Sequence, residues 1–285
     1  MKLSSNWSLM RGMGKQAAGR LVRRVLPPAT IRLAHVEPGT TLAVNLRRHV
    51  MFWSGGLDRF EPYSVRVLRA AIESGDDVLD IGANIGFYAT LFSRWAGDEG
   101  RVLAIEPEPE NLVLLRRNLA ENGCRNTVVC DHAVGAERGT AQFSLDAATG
   151  ATGRLGESAT QGELAVGSGA VRLIATRVET VDDLVERHWV NPRVIKMDIE
   201  GEEIRALRGA IRTLNTLRPV IVSELGGDEA GESIAFLGRS DYQLWDLETG
   251  SAVAAGDRPF MIVALPAEEV TEERGRRVLE ALASH

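Results

Sequence analysis

An α/β fold with a mostly parallel sheet, helices on both of its faces and a basic N-terminal extension is what this 285-residue chain predicts. Three observations carry that expectation. Short apolar runs alternate with amphipathic stretches from Val78 to Cys130, and again from Thr180 onward. A glycine-bearing turn, Asp80-Ile81-Gly82-Ala83-Asn84-Ile85-Gly86, joins the first strand of that alternation to a helix. The strands are short and apolar, as strands are when helices cover both faces of a parallel sheet.

Taken in order, the chain opens on a basic stretch. Lys2, Arg11, Lys15, Arg20, Arg23, Arg24 and Arg32 all precede the first acid, Glu37. The chain carries 33 basic and 39 acidic residues, a net charge of −6, and setting aside that +7 leaves −13 for the remainder. A body this acidic repels a phosphate backbone, so no nucleic acid is expected as a partner. The run from Trp7 to Leu26 has the pattern of a basic amphipathic helix that an anionic membrane would attract, although a loosely docked arm is the preferred reading. Residues 1–40 are read as the extension and 41–285 as one domain.

Within the domain, Ala43 to Trp53 reads as extended, Gly55-Gly56 as a turn, and Pro62 to Ser74 as a helix with Val65, Leu68 and Ile72 inward. Strands are expected at Val78–Ile81, Arg101–Ile105 and Val128–Cys130, with helices ending near Trp95 and running from Pro109 to Asn122. Thr140–Leu145 and Val171–Val178 look like two added strands. The Gly-, Ala-, Ser- and Thr-rich stretch between them, 146–169, has little to bury and reads as a flexible insertion, a lid or a surface loop. Helices are then expected at Thr180–His188, Glu202–Leu217 and Ser233–Gly238. Strands are expected at Val194–Met197, Val220–Ser223, Gln243–Leu247 and Phe260–Val263, and a charged surface helix at Glu269–Leu282. Two cysteines, Cys124 and Cys130, support neither a disulfide framework nor a zinc knuckle. With no apolar run long enough to span a membrane and no signal-peptide pattern, a cytoplasmic location is expected.

The chemistry concentrates at the strand ends. A dinucleotide fingerprint would place glycine at 82, 84 and 87, but Asn84 and Phe87 stand at two of those positions, so the turn suits a ligand without a pyrophosphate. Asp80 at the first strand's end favours a cation. S-adenosylmethionine has an ammonium, a sulfonium and no phosphate. Glu106, closing the second strand, can accept both ribose hydroxyls. Asp131 or His132, at the third strand's end, can meet the adenine amino group. Taken singly, Asp80 could cap a helix and Glu106 could be a solvated acid; at three successive strand ends they make a set.

These residues resemble the FkbM family of S-adenosylmethionine-dependent methyltransferases. The resemblance rests on Asp77 to Tyr88, Ala104-Ile105-Glu106-Pro107, Ile195-Lys196-Met197-Asp198-Ile199-Glu200-Gly201, Leu207-Arg208-Gly209-Ala210, and Arg218-Pro219 with Glu224; Phe60-Glu61-Pro62 also matches a family element. It covers roughly residues 50–250. It implies a class I (Rossmann-like) methyltransferase fold and, most often, methylation of a hydroxyl on a sugar or polyketide-like small molecule. The cofactor contacts expected are Asp80, Gly82, Asn84, Gly86, Glu106 and Pro107, with Asp131 or His132 at the adenine.

Methyl transfer to an alcohol needs the alcohol's proton removed, which a carboxylate or a metal assists. Asp198 or Glu200 is the candidate base, Lys196 holds an alkoxide or a carboxylate, and Glu224 orients the acceptor. The structural alternative pairs Lys196 with Asp198 and leaves Glu200 to open the next helix. Asp198, Glu200 and Glu224 could share a divalent cation, though no metal is assigned. The five histidines (35, 49, 132, 188 and 285) lack ligand spacing. Trp53, Phe60, Tyr63 and Phe87 are read as core rather than as a sugar platform. The competing readings are a nucleotide-dependent oxidoreductase and a nucleoside-binding scaffold without turnover.

Overall fold

The computed structural model describes residues 30–34, 37, 39–49, 52, 60–146, 154–156, 163–166, 169–225, 229–254 and 256–284. The basic stretch 7–26, Trp53, the turn at 55–56 and most of 146–169 lie outside the described residues.

Two antiparallel strands come first, β1 (Thr30–Ala34) and β2 (Thr41–Asn45). Helix α1 (Pro62–Ala71), β3 (Asp77–Ile81), α2 (Phe87–Ala96), β4 (Val102–Ile105), α3 (Pro109–Glu121) and β5 (Thr127–Cys130) follow the predicted alternation. Next come β6 (Ala133–Val134), β7 (Gly139–Asp146), β8 (Arg154–Gly156), β9 (Glu163–Val166) and β10 (Gly169–Glu179). The remainder runs α4 (Val181–His188), β11 (Pro192–Met197), α5 (Glu203–Arg208), α6 (Ile211–Thr216), β12 (Val220–Glu224), α7 (Ala230–Arg239), β13 (Tyr242–Asp246), β14 (Met261–Pro266) and α8 (Glu273–Ala283).

Seven strands form the main sheet in the order β13-β14-β12-β11-β3-β4-β5. The five from β12 to β5 are parallel, and only β14 runs against its neighbours. Strand β3 therefore lies between β4, its successor, and β11, more than a hundred residues later. Such a switch of direction opens a crevice at the carboxyl ends of the strands. One face buries Val78, Val194, Val220 and Val222 against Leu68, Tyr88, Phe92 and Val278. The other buries Leu79, Ile81, Ile105, Ile195 and Met197 against Leu184, Leu207, Leu214 and Leu237. Each such aliphatic side chain contributes roughly 1.5–3 kcal/mol by leaving water. This is the class I methyltransferase arrangement, with helices on both faces.

The structure corrects three expectations. Strands β7 and β10 do not extend the main sheet. They pair antiparallel with each other, from Val171↔Asp146 to Val178↔Gly139, in a separate sheet that also holds β6, β8 and β9. The insertion 146–169 accordingly carries two short strands, β8 on β7 and β9 on β10. The helix expected over Glu202–Leu217 breaks into α5 and α6 at Gly209-Ala210. There the backbone presses on a neighbouring loop: a Cβ on Gly209 would sit 2.1 Å from the Gly135 carbonyl oxygen. Finally, α8 is not a purely surface helix. Its Val278 and Leu282 are buried, and the Arg274 guanidinium reaches Asp76 at 2.9 Å.

The β1–β2 pair is tied to the sheet by asparagines of α3. The Asn118 Oδ1 accepts from Ala43 N (2.7 Å), and its Nδ2 donates to Ala43 O (3.1 Å) and Ile85 O (2.7 Å). Asn122 makes the corresponding pair with Thr41. These amides stand in for a neighbouring strand along the edge of β2 and fasten it to the glycine turn. Among the described residues, no helix is long and apolar enough to cross a membrane.

Candidate active site

The glycine turn begins where β3 ends. Gly82 N and Ala83 N both donate to Ile105 O at 3.0 Å, which pins the turn over the tip of β4. Gly82 has φ +82, and a Cβ there would lie 2.0 Å from the Asp198 carbonyl oxygen. Only glycine allows both the left-handed backbone and that contact. The close approach is thus to the loop after β11, and it draws the glycine turn and the Asp198 loop together. Gly86, φ +89, starts α2 without a side-chain cap.

Asp80 is wholly buried, and neither carboxylate oxygen has a hydrogen-bond partner. Burial pushes its pKa up to about 6 against the pull of Lys196, with Asp198 adding to the rise. A buried carboxyl with two orphan oxygens is costly in isolation and is relieved by a cationic donor. The backbone N–H of Ala89, in the first turn of α2, favours its anion, so Asp80 also faces the start of that helix.

Glu106 is also buried, at 5% exposure. Its Oε2 accepts from Asn84 N and its Oε1 from Glu108 N, each at 2.8 Å. Burial raises its pKa to about 7, although those backbone donors favour the anion. The Asn111 amide is a further donor, and the carboxylate still has lone-pair capacity for a ribose hydroxyl. Pro107 continues the chain into Glu108, whose carboxylate pairs with Arg48. At the third strand's end Asp131 is exposed. His132 lies between Asp131 Oδ1 (3.1 Å) and the buried Glu179 (3.7 Å). Of the two, His132 is the more enclosed.

Lys196 stands opposite Asp80 in the β11–β3 register, so the two side chains share a face. Its Nζ lies 3.2 Å from Asp198 Oδ2 and 4.9 Å above the Tyr88 ring. Burial alone would lower its pKa, but Asp198, Asp80 and Glu61 outweigh that and hold the ammonium above its ordinary value. The Lys196–Asp198 pair of the structural alternative is therefore present. Asp198 retains 26% side-chain exposure against 3% for Lys196, so the carboxylate, not the amine, opens outward.

Asp198, Glu200 and Glu224 each place one oxygen within 4.8 Å of the others, close enough to share a cation. Burial, then the charges of Asp198 and Glu200, push Glu224 well above the usual carboxylate range. Glu200 does not open a helix: it sits in a left-handed turn with φ 55, ahead of α5. The buried Glu203 holds that turn by accepting from Gly201 N (3.0 Å) and Ile199 N (3.3 Å).

Tyr88 and Glu61 also face this cluster, and Tyr88 Oη donates to Glu61 Oε2 at 2.8 Å. Neither is named by strand-end logic, since Tyr88 lies inside a helix and Glu61 precedes one. Their only sequence signal is membership in the resembling blocks. Glu203 had no such signal. Phe60 and Phe87 stack with Phe52 in the core, as expected, whereas Tyr63 is exposed.

S-adenosylmethionine fits these residues. Asp80 supplies a buried carboxylate beside Lys196, Glu106 keeps acceptor capacity beyond its protein donors, and the turn makes no pyrophosphate cradle.

The methyltransferase FkbM domain matches residues 80–244. A hexuronic acid methyltransferase of Haloferax volcanii, AglP, is 28% identical over 165 residues, which span 58% of this chain and 62% of that protein. The crystal structure of an FkbM methyltransferase from Methylobacillus flagellatus superposes with a TM-score of 0.44 at 21% identity, covering 69% of this chain and 47% of that one. An rRNA methylase from Clostridium thermocellum, described as putative in its structure, gives 0.42 at 9% identity over 71% and 92%. Because the family domain accounts for more than half of the sequence, the chain belongs to the FkbM methyltransferase family.

Proposed function

We propose that this protein is an O-methyltransferase that moves the cofactor's methyl group to a hydroxyl of a small molecule or glycan. The observation that carries the reading is the meeting of the buried Asp80 carboxylate with the Lys196–Asp198 pair on adjoining strand tips. It sets a cation-seeking pocket beside a carboxylate that opens outward. The similarity to a methyltransferase named for a hexuronic acid supports a sugar-like acceptor. The acidic body supports a non-nucleic acceptor.

When bound, the cofactor supplies a methyl group already activated by its sulfonium. The protein's part is to hold and orient. Asp80 takes the ammonium end, Glu106 the ribose hydroxyls, and His132 with Asp131 the adenine edge; Gly82, Asn84, Gly86 and Pro107 shape the backbone around them. Asp198 accepts the acceptor's proton, and Lys196 keeps that carboxylate in position. Glu224, pushed toward its neutral form, donates a hydrogen bond to the acceptor. Glu200 closes the pocket.

The test is calorimetry with S-adenosylhomocysteine, followed by labelled-methyl transfer to a panel of glycosyl acceptors. Micromolar binding and label on an acceptor oxygen are expected. Binding of NAD in place of the nucleoside would overturn the reading.

A further inference from the structure

Phe60-Glu61-Pro62 is the motif that strand-end logic leaves unused, and Glu61 is its unusual member. It precedes proline, a position driven toward extended backbone, yet it has φ 45 and ψ 55. A left-handed conformation is unfavourable for a side chain such as glutamate. The strain gains nothing for the helix that follows: Glu61 makes no side-chain cap on α1, and its carbonyl alone starts the helix by accepting from Val65 N. Among the described residues, six non-glycine residues have positive φ, and Glu61, Asn84 and Glu200 all border the active site. Strain held at one place calls for a local reason.

That reason is the direction of the side chain. The left-handed turn swings the carboxylate off the helix axis and over the strand tips, where Tyr88 Oη donates to it at 2.8 Å. Tyr88 lies in the first turn of α2, directly after the glycine turn, and its ring covers Lys196 Nζ at 4.9 Å. Lys196 in turn stands beside Asp80. Glu61 and Asp80 are thus joined through Tyr88 and Lys196 in one cluster at the strand tips. The charge of Glu61 is felt by Asp80 as well as by Lys196, Tyr88 and Glu224.

We infer that Glu61 is a cofactor-binding residue and that, with Asp80, it holds the ammonium of the cofactor's amino-acid end. The inference rests on the methyltransferase reading and adds a second carboxylate to it, from outside the matched domain. The pair grips the amino-acid end from two sides, one carboxylate from β3 and one from the turn before α1. A bond between opposite charges is directional and strong enough to justify the strained backbone.

Two nucleosides separate this role from a structural one. S-adenosylhomocysteine has the ammonium, whereas methylthioadenosine lacks the whole amino-acid end. Calorimetry on the full chain is expected to show Glu61→Gln weakening S-adenosylhomocysteine about 10-fold while methylthioadenosine changes less than about twofold. The glutamine retains an oxygen for Tyr88, so the change reads the charge. Equal weakening of both ligands, or of neither, overturns the assignment and leaves Glu61 a packing partner of Tyr88. Should the glutamine variant fail to fold, Glu61→Asp reads the same ratio. A shorter arm is expected to reduce the preference at least threefold, and an unchanged ratio overturns the assignment. A wild-type protein that binds neither nucleoside defeats the methyltransferase reading itself.

Discussion

Cofactor affinity is expected to rise with pH, because Glu106, the ribose anchor proposed above, is a buried acid poised near neutrality. Burial pushes Glu106 to about 7, while the Asn84 and Glu108 backbone donors hold its oxygens in place. Only the anion offers free lone pairs to both ribose hydroxyls. For a group at about 7, the ionised fraction is about one tenth at pH 6 and about nine tenths at pH 8. Binding should therefore tighten about 10-fold over that interval, or about 1.4 kcal/mol. Asp80, at about 6, is already about half ionised at pH 6 and adds about twofold. The assay is calorimetry with S-adenosylhomocysteine at pH 6, 7 and 8. In Glu106→Gln the rise should shrink to the twofold due to Asp80, with weaker binding at every pH. A wild-type affinity flat between pH 6 and 8, or a full rise retained in the glutamine variant, refutes the reasoning.

Three further outcomes follow from the same geometry. Asp198→Asn should leave S-adenosylhomocysteine affinity within about threefold and lower methyl transfer by roughly 10²–10⁴; an unchanged transfer rate removes the base assignment. Gly82→Ala places a Cβ 2.0 Å from the Asp198 carbonyl oxygen, on a backbone with φ +82. It should destabilise the fold by roughly 2–4 kcal/mol in urea and loosen the cofactor turn, with a near-neutral result showing that the two loops are not in contact. The unliganded protein should lose stability as pH rises from the ordinary carboxylate range through about 7. Asp80, Glu106 and Glu224 all titrate above their unfolded values, so the folded state binds more protons across that window and the stability slope is negative. Thermal melts between pH 5 and 8 should show it, at roughly 2–4 °C per kcal/mol for a chain of this size; a melting temperature rising over that range contradicts the burial of these acids.

The periodic elements were legible because their cause is local. Apolar residues at strand or helical spacing marked β3 to β5 and α1 to α3, and the tight turn at Gly82 was visible from composition alone. The strand-end acids Asp80 and Glu106 were legible for the same reason, since parallel strands must end on one edge. What tertiary structure decided was whether each acid faces water or the core. Asp80 lies buried beside Lys196 of β11, a strand far away in sequence, and Glu106 beneath the backbone of Asn84 in the glycine turn. The separate sheet of β7 and β10 likewise depends on pairing across more than twenty intervening residues. The helix break at Gly209 depends on the approach of Gly135, and the inward swing of Glu61 on the position of Tyr88. No periodicity encodes these contacts, because each arises between surfaces that exist only after the chain has folded.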